Sequence, residues 1–245
     1  MNIKKHIPNF ITLLNLFCGC IAVVFVSKAI HTGDSSHYLS AFCFVCLGIF
    51  LDFFDGFFAR LFKVSSPLGL QLDSLADMVT SGVVPGYVMY SLFLKSANPN
   101  NEILSVILPF AGFIVTLGSC FRLANFNIDT RQTDSFIGLP TPANALFILS
   151  LPLVIQFSDS LLIFGLLTNI WVLLAITICS AYVLNAEIPL FALKVKKLNV
   201  KDNKLQLFFL TASVLMVFLL QYAAIPLIIL FYILLSVFNN KFLKK

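Results

Sequence analysis

Charge is what this sequence has least of. Only 11% of its 245 residues are Asp, Glu, Lys or Arg, against about 25% in a soluble domain. So few ions cannot dress a water-exposed surface of this size. With 59% hydrophobic residues and a mean hydropathy of +0.97, the composition excludes an ordinary soluble domain and points to a bilayer. Histidine is scarce, and His6, His31 and His37 fall before the first apolar run or in the loop after it. The single tryptophan, Trp171, lies inside an apolar run and reads as packing. Cys43 and Cys46 have the spacing of half a zinc site, but no second pair completes it. All six cysteines sit in apolar stretches, where a free thiol behaves as a small hydrophobe. No phosphate-binding glycine loop, dinucleotide turn or nucleophile elbow is present. The basic N-terminus precedes an apolar run that lacks a small-residue cleavage site, so that run is read as a retained first helix. A net charge of +5 requires no nucleic acid, because anionic lipid headgroups account for it.

What the sequence has in abundance is apolar runs of bilayer length. A spanning helix takes about 20 residues. Breaks at Pro, Gly and charge clusters predict spans near 11–30, 37–62, 69–94, 103–126, 142–158 and 161–184. A last stretch, 205–238, is too long for one straight crossing and is interrupted by Gln221-Tyr222-Ala223-Ala224-Ile225-Pro226, which predicts a tight hairpin. The expected fold class is therefore all-α, a polytopic transmembrane bundle of about eight spans with both termini cytoplasmic. Residues 1–204 form the expected membrane domain, and 205–245 a C-terminal hairpin with a basic tail. Alternating the spans from a cytoplasmic N-terminus puts every basic residue except Lys28 and Lys95 on the cytoplasmic side, as the positive-inside rule requires. A single final span would strand Lys241, Lys244 and Lys245 outside.

Against that background four carboxylates stand out. Asp52, Asp55, Asp73 and Asp77 lie within 26 residues, embedded among Phe, Leu and Val. An ionised Asp at the centre of a span costs about 2.5–3.5 kcal/mol on insertion scales and needs a compensating partner. Asp52 and Asp55 fall near the cytoplasmic end of the second span, Asp73 and Asp77 near the start of the third. Ser66-Pro67 between them reads as an N-cap followed by proline at the first helical position. The two helices are thus antiparallel neighbours facing one cavity. At 100° per residue, Asp52, Asp55, Gly56, Ala59 and Arg60 share an arc of about 140°. Asp73 and Asp77 share a face at i, i+4, with Gly69 one turn earlier. Such a cluster serves either a metal-held phosphate or an ion pathway. Arg60 suits a phosphate oxygen, and Gly56, Ala59 and Gly69 leave room for a bulky ligand, which favours the first.

Written as D-x2-D-G-x2-A-R-x8-G-x3-D-x3-D, this segment resembles the signature of the CDP-alcohol phosphatidyltransferases at all eight positions. The resemblance implies a helical membrane enzyme with two divalent ions, Mg2+ or Mn2+, at a site facing the cytoplasm. It implies that CDP-diacylglycerol loses CMP as an alcohol attacks its β-phosphorus. By it, Asp52, Asp55, Asp73 and Asp77 are metal ligands or neighbours, with Asp77 the general base. Gly56, Ala59, Arg60 and Gly69 accommodate the CDP moiety. Flanking stretches are similar to the serine-using branch, the bacterial phosphatidylserine synthases. They are Ile7-Pro8-Asn9 with Thr12, Asn15 and Gly19; Ser81-Gly82-Val83-Val84-Pro85; Arg122-Leu-Ala-Asn125-Phe126-Asn127; Phe136-Ile-Gly138-Leu-Pro140-Thr-Pro142-Ala143; and Ile188-Pro189-Leu-Phe191-Ala-Leu-Lys194. Asn125 departs from that branch, which carries Arg there.

L-serine is accordingly the expected acceptor, within the inner membrane of a bacterium and in a homodimer. Serine carries a carboxylate and an ammonium, so Arg122 and Arg131 are candidate contacts, with Asn127, Thr141 and Asn144 as weaker polar ones. Lys194, Lys196 and Lys197 suit lipid phosphate or interfacial anchoring. Glycerol 3-phosphate or inositol phosphate would need further cations for a second phosphate. Membrane prenyltransferases also hold diphosphate through aspartates and magnesium, but their two acidic motifs lie far apart in sequence. A cation-coupled transporter would be expected to show paired broken helices or an inverted repeat, and neither is evident.

Overall fold

The computed structural model describes residues 6–64, 66–96, 102–129, 137–191 and 203–240, with the backbone alone at 102–104. Every regular element among them is helical, and one isolated bridge, Ile137 with Pro189, is the only strand-like pairing. α1 (Ile7–Thr32) carries proline in its first turn and stops at Gly33, whose φ of 71° is the left-handed conformation that ends helices. Asp34 then accepts bonds from the Ser36 amide and hydroxyl at 2.8 and 2.7 Å, which start α2 (Ser36–Phe62). Those two bonds hold the Asp34 carboxyl below its ordinary pKa.

α1 and α2 pack as an antiparallel hairpin through small residues. Ala22, Val26 and Ala29 on one side and Ala41 and Val45 on the other are fully buried. Where hydrocarbon surrounds the helices, burial alone gives little drive, and close backbone approach is what holds them. α2 closes on Lys63 at φ 53°, with the Val64 amide donating to Ala59 O at 3.0 Å. Ser66 caps α3 (Pro67–Asp77), accepting from the Gly69 amide at 3.0 Å with Pro67 following it, as expected.

α3 does not run straight on. A π-helical turn, Met78–Val83, separates it from α4 (Val84–Ser96). The Thr116 hydroxyl donates to Gly82 O at 2.9 Å, so a neighbouring helix satisfies a carbonyl of the turn. α5 (Glu102–Ile107) leads through a 3-10 segment, Leu108–Phe113, into α6 (Ile114–Ile128). α7 (Thr141–Phe157) is central, with Ile148, Leu149 and Leu153 buried. The run expected to cross as one span at 161–184 is broken. α8 (Leu161–Leu167) and α9 (Ile170–Asn185) meet at 65°. The cause is local: Asn169 caps α9, accepting from the Trp171 and Val172 amides at 2.9 and 3.4 Å.

α10 (Lys204–Leu220) and α11 (Ala224–Phe238) are joined by a 3-10 turn at Gln221–Ala223. The Phe209 ring lies 5.5 Å from Tyr232 and 5.8 Å from Phe231, so the two helices run side by side. Tyr232 donates to Phe191 O at 2.8 Å, tying the pair to the segment after α9. By length and apolarity, four stretches suit a membrane crossing: Ile7–Thr32, Ser36–Phe62, Ser105–Ile128 and Lys204–Phe238. The bent α8–α9 pair makes a fifth, and Thr141–Phe157 is a shorter apolar helix. Their outward faces expose large apolar side chains such as Phe17, Phe50 and Phe218, the surface an integral membrane protein presents to lipid.

Candidate active site

The last turns of α2, the C-terminal half of α3, the end of α6 and the start of α7 meet around a cavity of ≈ 450 Å³. Asp52 and Asp55 enter it from α2, Asp73 and Asp77 from α3. Carboxylate oxygens of Asp52, Asp55 and Asp73 lie within 4.8 Å of one another. Like charges at that distance repel strongly in a partly buried site. Arg60 and Arg122 also line the cavity, and two guanidiniums do not offset four carboxylates. Hard oxygen donors gathered in this way fit a divalent cation, so the donor set suits the metal that the signature implies.

Asp77 stands slightly apart from that trio. Its Oδ1 accepts from Asn15 Nδ2 of α1 at 3.2 Å. The Asn15 amide is in turn fixed by Thr80, whose hydroxyl donates to Asn15 Oδ1 at 2.9 Å. With its oxygen engaged, the amide must present its N–H to the carboxylate. Asn15 and Thr80 are fully buried. Thr12, one turn before Asn15 on the same face, has its hydroxyl within hydrogen-bonding reach of Asp55 Oδ2 and of Pro8 O. α1 thus supplies no member of the acidic motif, yet it positions two of its aspartates.

Glycines let α1, α2 and the π-helical turn after α3 come this close. A Cβ at Gly48 would stand 2.7 Å from Asn15 Oδ1 and 2.9 Å from Thr80 Cγ2, and one at Gly19 would stand 2.6 Å from Thr80 Oγ1. Gly56 differs: a Cβ there meets only the Arg60 guanidinium, at 3.8 and 3.9 Å, so this glycine opens onto the cavity. A Cβ at Gly69 would stand 3.2 Å from Asn9 Oδ1 in the first turn of α1. Ala59 and Gly69 are not in the cavity wall.

Of the expected acceptor contacts, Arg122 is 6% exposed and lines the cavity, its guanidinium 5.6 Å from the centre of the Phe126 ring. Asn127 and Thr141 line it too, and Asn127 Nδ2 donates to Ser74 Oγ of α3 at 2.8 Å. Asn144 faces a different, apolar cavity. Arg131, Lys194, Lys196 and Lys197 lie outside the described residues. Thr12, Asn15 and Thr80 had drawn no role from sequence. Their signal was a polar side chain inside an otherwise apolar helix, which marks an internal partner.

The family model for CDP-alcohol phosphatidyltransferase matches residues 5–181, well over half of the chain. The CDP-diacylglycerol–serine O-phosphatidyltransferase of Bacillus subtilis is 37% identical over 142 residues, which cover 56% of this chain and 70% of the relative. The protein of the same name from Saccharomyces cerevisiae is 34% identical over 155 residues, covering 60% of this chain and 53% of the relative. That of Methanocaldococcus jannaschii is 33% identical over 142 residues, 58% of each chain. The chain therefore spans 70% of the first of these and little more than half of the other two. The eight-residue signature, the carboxylate cavity it builds and the extent of the family match lead to one statement: this chain belongs to the CDP-alcohol phosphatidyltransferase family.

Proposed function

We propose that the chain transfers the phosphatidyl group of CDP-diacylglycerol to L-serine, giving phosphatidylserine and CMP. The observation that carries the reaction is the convergence of Asp52, Asp55 and Asp73 within 4.8 Å, in a cavity shared with Asp77, Arg60 and Arg122. The names of the relatives support serine as the acceptor.

Asp52, Asp55 and Asp73, with Asp77 beside them, would hold two divalent ions, Mg2+ or Mn2+. Such ions, when bound, neutralise the pyrophosphate and the CMP leaving group. The remaining work belongs to the chain. Gly56 leaves the α2 backbone open to the nucleotide, and Arg60 reaches a phosphate oxygen. Ala59 and Gly69 are assigned to the same nucleotide by the family signature alone, since both stand outside the cavity wall. Asp77, oriented by Asn15, accepts the serine hydroxyl proton. The serine oxygen then bonds to the β-phosphorus, the bond from that phosphorus to the bridging oxygen breaks, and the electron pair leaves with CMP. Arg122 holds the serine carboxylate, and Arg131 is assigned to the same acceptor.

The same reading places eight crossings in a bacterial inner membrane, with the cavity and both termini facing the cytoplasm. Residues 1–204 are the catalytic unit and 205–245 an added hairpin. The side-by-side packing of α10 and α11 supports the hairpin, and the one-sided distribution of Lys and Arg supports the orientation. Family resemblance extends it to a homodimer, which native mass spectrometry in detergent resolves.

Purified protein is to be given CDP-diacylglycerol and Mn2+ with serine, glycerol 3-phosphate or inositol phosphate in separate reactions. Serine-dependent CMP release with phosphatidylserine as product is the expected outcome. CMP release with another acceptor alone would overturn serine, and none with any acceptor would overturn the reaction.

A further inference from the structure

The C-terminal helix pair is fastened to the bundle at two places, with a gap between them. At its turn, the Tyr222 ring stacks on Phe157, the last residue of α7, with centroids 4.5 Å apart. Toward the other end of α11, Tyr232 donates to Phe191 O at 2.8 Å, and the Phe191 amide donates to Ser236 Oγ at 3.4 Å. Between these fastenings α11 packs on α7 but stands off α8 and α9, and an apolar cavity of ≈ 670 Å³ lies there. The family match ends at residue 181, so the α11 wall of this cavity, Pro226 to Ile233, lies beyond it. No lining residue is shared with the cavity of the four aspartates.

One group in this wall is out of place among hydrocarbon. Asn144, one turn into α7, is 1% exposed, and its amide nitrogen has no acceptor. A buried N–H left unpaired costs free energy that a ligand bearing a carbonyl recovers. Water does not suit the rest of the gap, because it needs several polar partners and the α7 wall beyond Asn144 is Phe147, Leu151 and Val154. From Asn144 to Val154 the helix rises about 15 Å, the depth of one leaflet of a hydrocarbon core about 30 Å thick. Trp171, in the same wall, is 71% exposed, so the cavity reaches the outward apolar face, where a bilayer presents acyl chains. An ester-linked chain brings hydrocarbon for the gap and, at its head, a carbonyl oxygen that accepts a hydrogen bond.

We propose that this cavity holds one acyl chain of a resident diacyl phospholipid, its ester carbonyl accepting from Asn144 Nδ2 and its methylenes lying along α7. The lipid seals the C-terminal hairpin to the bundle and is not the molecule consumed in the reaction. The inference stands apart from the phosphatidyl transfer proposed above, since it is read from binding alone.

The test offers the full-length protein in detergent two phosphatidylglycerols of equal chain length, one ester-linked and one ether-linked, the second lacking the carbonyls. Native mass spectrometry counts the lipid retained through detergent exchange. Wild type is expected to keep one ester lipid and to bind it about ten-fold more tightly than the ether, the scale of a hydrogen bond regained by a buried donor. Asn144→Leu should bind the two alike, and Ala175→Phe, which fills the gap, should keep neither. In thermal unfolding the ester lipid should raise the midpoint of wild type more than the ether lipid does. Equal retention of ester and ether by wild type, or no retained lipid, overturns the site; so does an ester preference that survives Asn144→Leu. Release of the retained lipid by CDP-diacylglycerol would make it the substrate's own chain and overturn a resident lipid. The wild-type comparison stands even where a variant fails to fold.

Discussion

Two cavities in this bundle are built on opposite principles. The one between α2, α3, α6 and α7 holds four aspartates and two arginines in ≈ 450 Å³. The other, ≈ 670 Å³ between α7, α8, α9 and α11, is lined by residues such as Phe147, Leu151, Trp171 and Leu230. Its polar lining includes Ser180 and Asn144, and the Asn144 amide nitrogen is buried without an acceptor. The apolar cavity is the roomier of the two, yet nothing in it holds a ligand by charge. In the acidic cavity, by contrast, side chains from outside the motif fix the carboxylates, as Asn15 does for Asp77 and Thr12 for Asp55. Space inside a membrane bundle comes readily from imperfect helix packing. Ordered charge does not, because each ion must be met by a partner.

The sharpest way to break the contrast is to remove a carboxylate. Asp77→Asn should lower CMP release by about 10²–10⁴-fold, the range for loss of a general base. Asp55→Asn should abolish release, and EDTA should do the same until Mn2+ or Mg2+ is restored. Wild-type turnover in either mutant, with protein folded in detergent, would remove the mechanism.

Next comes the support. Asn15→Leu takes the donor from Asp77 and leaves the Thr80 hydroxyl without its side-chain acceptor. A loss of about 10–100-fold in CMP release is expected, typical of a group that orients a metal-site ligand. Asn15→Gln, which restores an amide, should recover part of it. Equal losses in the two variants would argue for packing alone.

Smaller and more diagnostic is a pair of alanines. Gly48→Ala forces a methyl against Asn15 and Thr80 and should destabilise by about 1–3 kcal/mol, read from thermal unfolding in detergent. Gly56→Ala meets open space and should leave stability within about 0.5 kcal/mol. Its cost should appear as a higher KM for CDP-diacylglycerol. The reverse pattern would mean that Gly48 faces the ligand and Gly56 the packing. Last, Ala175→Val adds volume in the apolar cavity and should leave CMP release within about two-fold, since nothing charged is displaced there.

Much of this was legible in the chain. The Ser66 cap, the hairpin break at Gln221 and the shared face of Asp73 and Asp77 follow from local rules, and the structure contains the first two in the expected places. The break between α8 and α9 was missed although Asn169 is a good N-cap, because the unbroken apolarity around it outweighed one polar residue. The π-turn at Met78–Val83 left no mark in hydrophobic periodicity. Neither did the contact between Asn15 and Asp77, 62 positions apart. Arg122 was picked for its charge, but that it reaches the cavity of the four aspartates depends on how α6 packs against α2 and α3.

What the sequence alone determined is a helical membrane chain with a compact acidic motif, because hydropathy and 3.6-residue periodicity act over neighbouring residues. What only the tertiary structure decided is which carboxylates cluster, which one α1 holds apart, and that Arg122 lines the same cavity. Those are distances between side chains on different helices. They are set by how closely backbones approach at Gly19 and Gly48 and by the π-helical turn after Asp77, neither of which a one-dimensional pattern encodes.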